Sequence, residues 1–350
     1  MTGMEAATGR RTVPPFGVIS GAQVQQALDG REKEIVSLVE ATYRLHGAGE
    51  SVNPPSYFLS FPDRPKARIV ALPASIGGDV RVHGLKWISS FPENVAAGVP
   101  RASAVLILND HDTGYPFACV ESSIISATRT AASATLAADW LSRDRRRPRR
   151  VGFIGVGLIA RYIHTFMAGT GWMFDEIGIH DVSADSVSGF RDYLERADVA
   201  GRIIVYDRPE DLIRSSDMVV FATVADGPHV TDASWFDHNP VVLNVSLRDL
   251  APHILLGSTN IVDDIEHCMK ANTSPHLAEQ LTGNRDFLSG TLDDVMSGRA
   301  MVPAERPVVF SPFGLGVLDL AVGKFVYDEV ARSGQLRVVE NFFHELHRYG

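Results

Sequence analysis

Residues 150–160 read RVGFIGVGLIA, and no other stretch restricts the fold of this chain so strongly. The apolar run at 151–154 predicts a short buried strand. The glycines after it predict a tight turn, and the apolar residues from 159 to 167 the start of a helix. This is the Gly-x-Gly-x-x-Gly/Ala pattern of a dinucleotide-binding turn. Gly155 permits the turn, Gly157 lets the backbone approach a pyrophosphate, and Ala160 lets helix and strand pack closely. Amides at the helix start, around Leu158 and Ile159, then face the anion. Such a pattern alone says little, but the acid that should follow it is present. The segment EIGIHD at 176–181 predicts a second strand ending in Asp181, about 20–26 residues beyond the glycines, where a carboxylate accepts hydrogen bonds from the adenosine ribose. An acid there repels a 2′-phosphate and no Arg follows within 182–184, so NAD is favoured over NADP.

At 350 residues, 45% of them hydrophobic, the chain has room for two ordinary domains with a real core. A formal net charge of −9 argues against nucleic acid or an anionic membrane as the main partner. The one basic run, RDRRRPRR at 143–150, reads as a solvated linker rather than a polyanion site. Cys119 and Cys268 are far apart and have no metal-ligand spacing, which argues against a disulfide framework or structural zinc and fits a reducing cytoplasm. The stretch 1–15 lacks an apolar signal core and reads as a ragged tail, and no apolar run is long enough to span a bilayer.

Ser20 reads as a helix cap, and 32–46 carries apolar residues at helical spacing. After Pro54-Pro55, short strand candidates at 56–60, 68–73, 80–89, 104–110 and 116–121 are separated by Gly, Pro and Asn/Asp turns, which predicts an α+β domain on a largely antiparallel sheet. An Ala-rich helix follows over 122–142. From residue 150 strand and helix alternate, with strands expected at 151–154, 176–180, 202–206, 217–222, 241–245 and 260–262. That alternation predicts a parallel sheet with helical crossovers, an α/β Rossmann unit. Ligands of such sheets bind beyond the strands' carboxyl ends, so 222–224 and 244–249 fall in the reactive zone. A strand at 308–310 and a helix at 316–333 close the chain.

Arg68, GLKW at 84–87, ATRTAA at 127–132, the glycine fingerprint, NVSLRD at 244–249 and PFGLGVLD at 312–319 stand in one register. In these segments the chain resembles the ornithine cyclodeaminase/μ-crystallin family over nearly its whole length. Within it, ALPASIGG at 71–78, KWI at 86–88, VLILND at 105–110, IISATRTAA at 124–132 and TVAD at 223–226 are similar to one subfamily. Its members are dehydrogenases of N-(2-amino-2-carboxyethyl)-L-glutamate that make 2,3-diaminopropionate for siderophores or peptide antibiotics. The resemblance implies a homodimer, with 1–125 and 320–350 forming a substrate-binding and dimerisation domain and 126–319 a Rossmann NAD-binding domain. It also implies oxidation by NAD of the secondary amine joining glutamate to diaminopropionate. Hydrolysis of the imine gives 2-oxoglutarate and L-2,3-diaminopropionate. Cyclodeaminases proper carry Gly-Gly before the catalytic Asp, whereas this chain has Leu247-Arg248, which counts against ornithine as substrate.

Hydride leaves the glutamyl Cα only if the amine nitrogen has a free lone pair, so a base must first take a proton from the ammonium. By the resemblance that base is Asp249; a helix cap or loop carboxylate is the alternative. Arg68, Lys86 and Arg129 match positions that contact substrate, and the substrate's three carboxylates suit two guanidinium forks and one compact charge. Lys86 is further expected to position the hydrolytic water. Thr223, Val224 and Ser246, at the ends of the fourth and fifth Rossmann strands, would border the nicotinamide and its ribose, with ordinary strand-end hydrogen bonding as the alternative. Asp319 matches an acid near the cofactor, or is a helix-start carboxylate. His111, His180, His267 and His276 lack metal-ligand spacing, so no metal is expected. Two rival readings stay open. One is a cyclodeaminase or ketimine/amino-acid reductase of the same fold; the other is a μ-crystallin-like protein that binds nicotinamide and a small ligand.

Overall fold

Turn formers cut the first third of the chain into strands, and those strands find their partners in one sheet. The computed structural model describes residues 12–199, 201–344 and 346. The tail expected over 1–15 lies outside the described residues up to 11, as do 345 and 347–350 of the C-terminal segment. The first part runs β1 (Phe16–Ile19), α1 (Gly21–Leu28), α2 (Glu32–Gly47), β2 (Ser51–Val52), β3 (Tyr57–Phe61), β4 (Arg64–Ile76), β5 (Val82–Ser90), β6 (Ala102–Asp110), β7 (Pro116–Glu121) and α3 (Ser123–Leu141). Then come β8 (Arg150–Ile154), α4 (Leu158–Gly169), β9 (Glu176–His180), α5 (Ala184–Arg196), β10 (Arg202–Val205), α6 (Pro209–Ser215), β11 (Met218–Phe221) and β12 (Val241–Asn244). The chain closes with α7 (Pro252–Leu256), β13 (Thr259–Val262), α8 (Ile265–Cys268), α9 (Ser274–Thr282), β14 (Leu288–Thr291), α10 (Leu292–Met296), β15 (Val308–Ser311), α11 (Gly316–Arg332) and β16 (Arg337–Val339).

The first sheet has the order β16-β1-β7-β6-β5-β4-β2, with β3 also paired to β4. It is antiparallel throughout except that β1 lies parallel to β7. On the face that carries Leu72, Lys86 and Leu106, α11 packs across β4, β5 and β6. The opposite face leaves Tyr57, Leu59, Trp87 and Val105 exposed, with Trp87 paired to Val105 and joined to Tyr57 through Ala71.

The second sheet is wholly parallel, in the order β10-β9-β8-β11-β12-β15-β13-β14. Strands β11, β12, β13 and β15 are buried at every residue, as a sheet covered on both faces requires. The direction of strand addition reverses at β8, so its carboxyl end is the switch point of the sheet. Helix α3 lies against both halves. Residues 131–138 are all buried, and the helix packs on α2, α4 and α11 and touches β12. Its Ala-rich surface permits such burial on every side.

The strands expected from sequence are found within a few residues, with β4 extended at both ends. The short strands β1, β2, β14 and β16 were not expected. Strands of two and three residues such as β2 and β16 have no room for alternation, and β14 is broken by Gly290 at φ +144°. The basic run is more than a solvated linker. Arg149 pairs with Asp175 at 2.5 Å and Arg150 with Asp217 at 2.8 Å, while Arg145 donates to the carbonyls of Asn239, Pro303 and Arg306. Among the described residues no helix is long and apolar enough to cross a membrane.

Candidate active site

The fingerprint turn is built as its sequence requires. Gly155 has φ +81°, and a Cβ there would meet the backbone of Ala222 and Thr223 at 2.7 Å, so no other residue fits. Ala160 is fully buried behind it. Gly157 caps α4; a Cβ added to it would meet no protein atom within 4 Å, so it points away from the protein, toward where a phosphate would approach. The first turn of α4 holds no acid that would compete for its free amides, and Leu158 is exposed at its tip. Asp181 follows β9 and accepts from the amides of Val156, at 2.9 Å, and Ser183, at 2.8 Å. It therefore fixes the glycine turn, and its oxygens retain lone pairs for further donors. These residues fit a dinucleotide.

Beyond the ends of β11 and β12, a second group gathers around Asp249, which is fully buried. Its Oδ1 accepts from Thr223 Oγ1 at 2.5 Å and from His229 Nε2 at 2.9 Å, and its Oδ2 accepts from Ser246 Oγ. Burial by itself would raise the carboxyl pKa; the hydrogen bonds from His229, Ser246 and Thr223 outweigh it and hold Asp249 below the ordinary value. The His229 and Val230 amides also donate to the Asp249 carbonyl. Thr223 and Ser246, expected at the nicotinamide, donate their hydroxyls to Asp249. Val224 beside them is exposed. Leu247, two residues before Asp249, has φ +78°, a conformation natural to glycine. Its carbonyl accepts from the Ser274 amide at 2.7 Å.

The third group lies between α3, α11 and the sheet. Lys86 on β5 is 1% exposed, and Nζ donates to Asp319 Oδ2 at 2.6 Å and to Ser126 Oγ at 3.3 Å. Arg129 Nε donates to Asp319 Oδ1 at 3.2 Å. Burial lowers the Lys86 pKa to about 8, with Arg129 adding to the fall and Asp319 opposing it. Gly314 sits in the left-handed region at φ +97°, and a Cβ there would lie 2.5 Å from Arg129 Nη1. The amides of Phe313 and Gly314 donate to Asp263, which fixes the turn before α11. Asp319, expected near the cofactor, is thus the shared carboxylate of buried Lys86 and half-buried Arg129. Arg68 stands on β4 opposite Ser90, on the same sheet face as Lys86.

The structure therefore brings the expected residues into three clusters: Gly155, Gly157 and Asp181 at the turn; Thr223, Ser246 and Asp249 beyond the strand ends; Lys86, Arg129 and Asp319 beneath α11. His229 and Ser126 were not expected. His229 could have been found, because β11 and β12 are parallel neighbours and the loops that leave their carboxyl ends must meet. Ser126 lies one helical turn before Arg129, so the same face carries both.

A wholly parallel sheet with a dinucleotide turn at its switch point defines the class, a dinucleotide-dependent enzyme. The chain belongs to the ornithine cyclodeaminase/mu-crystallin family, whose model matches residues 21–334. It is 24% identical over 325 residues to N-((2S)-2-amino-2-carboxyethyl)-L-glutamate dehydrogenase of Staphylococcus aureus, covering 90% of this chain and 95% of that protein. Its fold is similar to that of an archaeal alanine dehydrogenase dimer with bound NAD, with a TM-score of 0.83 at 25% identity, covering 94% and 99% of the two chains. It is also similar to that of Thermococcus litoralis Delta(1)-pyrroline-2-carboxylate reductase in complex with NADH and L-proline, with a TM-score of 0.85 at 21% identity and coverage of 93% and 100%.

Proposed function

We propose that this chain is an NAD-dependent dehydrogenase of N-(2-amino-2-carboxyethyl)-L-glutamate, releasing L-2,3-diaminopropionate and 2-oxoglutarate for the synthesis of a siderophore or peptide antibiotic. The observation that carries the reading is the pair Lys86 and Arg129 sharing the single carboxylate of Asp319. One buried and one half-buried cation against a single buried anion leave a net positive site, and a substrate carboxylate completes the charge balance. The glycine turn and Asp181 would hold NAD, which when bound would supply the acceptor for the hydride. His229, oriented by Asp249, takes the proton from the substrate amine, so that the nitrogen lone pair can form the imine as hydride leaves Cα. Asp249 itself has both oxygens occupied and a depressed pKa; it acts through His229, stabilising the charge the ring gains. Lys86 holds the carboxylate and places the water that hydrolyses the imine.

In this reading residues 1–125 with 320–350 bind substrate and form the dimer, while 126–319 hold NAD. The second copy packs on the exposed row of Tyr57, Leu59, Trp87 and Val105, and the enzyme works in the cytoplasm. The test is incubation with NAD and N-(2-amino-2-carboxyethyl)-L-glutamate, with L-ornithine and L-alanine in parallel. NADH, diaminopropionate and 2-oxoglutarate are expected from the first. Proline from ornithine without net NADH, or NADH from alanine alone, would replace this substrate by another of the family's.

A further inference from the structure

Arg101 and Arg248 each feel the charge of Arg68, and among the described residues none of the three is ion-paired with a carboxylate. Strand register brings two of them together. Arg68 on β4 faces Ser90 on β5, Ser90 faces Ala102 on β6, and Arg101 Nη1 donates to Ser90 Oγ at 3.0 Å. Arg248 arrives from the loop after β12, where Nε and Nη2 donate to the Ala271 carbonyl at 3.0 and 2.8 Å. All three are half-buried. Burial lowers the pKa of Arg101 and of Arg248, and Arg68 lowers each further. Asp226 and Asp249 favour the charged form of Arg248, but less than burial and Arg68 oppose it. Asp226 is exposed and lies 3.9 Å from Lys66, and Asp249 is occupied by Thr223, Ser246 and His229. Half-buried cations that repel one another are a standing unfavourable arrangement, and an anion between them relieves it.

We propose that Arg101 and Arg248, with Arg68 between them, form a second anion subsite that takes a carboxylate remote from the one held by Lys86 and Arg129, and so selects substrates with several carboxylates. The proposal rests on the function given above and names what reads the substrate's far arm. The position of the subsite supports it. Arg68 and Lys86 rise from the same sheet face, separated by four strand residues, about 14 Å along the backbone. A single-carboxylate amino acid reaches one end only; a branched molecule with three carboxylates reaches both.

Arg248→Ala and Arg101→Ala, made separately on the full chain, should each raise KM for N-(2-amino-2-carboxyethyl)-L-glutamate about 10- to 100-fold, the worth of one charge-assisted hydrogen bond, with a smaller fall in kcat. Arg248→Lys should recover part of the loss. Binding without turnover separates this proposal from the substrate assignment. With NAD present, calorimetric titration of 2-oxoglutarate should weaken about 10- to 100-fold in both variants, while titration of pyruvate should change less than threefold. NAD binding, followed by protein fluorescence, reports the folded state. If the amine is not turned over yet the two-carboxylate ligand is lost selectively, the subsite stands and the substrate assignment fails. Equal affinity of variant and parent for 2-oxoglutarate, or equal loss of pyruvate, overturns the subsite.

Discussion

Asp319→Asn tests the chemistry of the buried cation pair most directly. In the parent, Lys86 is held near a pKa of about 8, with burial and Arg129 pulling it down and Asp319 holding it up. The carboxylate contact at 2.6 Å is a charge-assisted hydrogen bond in a dry site, worth roughly 1.5–3 kcal/mol. At about 1.4 kcal/mol per pKa unit, its loss moves Lys86 down by about one to two units, to about 6–7. The sign follows from the role of the charge. Substrate carboxylate binds the protonated amine, so kcat/KM should fall above a limb near pH 8 in the parent and above about pH 6–7 in Asp319→Asn. The assay is kcat/KM for amine oxidation from pH 5.5 to 9.5, read by NADH absorbance, with NAD affinity measured in parallel as a check on folding. A limb that stays near pH 8 in the variant would show that Lys86 is not the group being titrated.

His229→Gln should lower kcat by about 10²- to 10⁴-fold with KM little changed, and Asp249→Asn should reproduce most of that loss; steady-state kinetics decide, and an unimpaired His229→Gln removes the proton-transfer role. Asp181→Ala should weaken NAD by about tenfold and narrow the preference over NADP, because the same carboxylate braces the Val156 amide and bars a 2′-phosphate; titration with both nucleotides reads it. The cluster of His46, Asp264 and His267 should shape stability against pH. Asp264 is well below its ordinary pKa: burial opposes the shift, but hydrogen bonds from His267 and His46 outweigh it, so its contribution is present above about pH 4 and lost on acidification. Burial lowers the His267 pKa, but Asp264 outweighs it and the net shift is upward, so that contribution is present below about pH 6.5 and lost as pH rises. Thermal unfolding should therefore show a stability maximum between about pH 4 and 6.5 that flattens in Asp264→Asn.

Much of this site is legible in the chain because its parts obey local rules. The glycine turn and Asp181 are fixed by one strand–turn–helix unit, and the period of the following strands places residues 222–224 and 244–249 at the carboxyl ends. What sequence cannot supply is contact between segments that are far apart along the chain. Lys86 and Asp319 lie 233 positions apart, and nothing in either neighbourhood announces the other. His229 belongs to a loop without periodicity, and only the adjacency of β11 and β12 brings it to Asp249. Arg101 and Arg248 look like two more charged residues until strand register and loop path set them beside Arg68. Charges read singly from sequence are surface charges by default; burial and shared partners make them a site.

Leu247 carries a consequence for how the protein balances robustness against activity. A leucine held at φ +78° is strained by about 1–2 kcal/mol relative to an ordinary backbone conformation, and the turn must be clamped from outside to keep it there, as the Ser274 amide does. Leu247→Gly should therefore raise the melting temperature while letting the turn explore more conformations, blurring the positions of Arg248 and Asp249 just after the relaxed residue. The loop is a point where durability has been exchanged for a fixed geometry, and selection for thermal tolerance alone would erode it first.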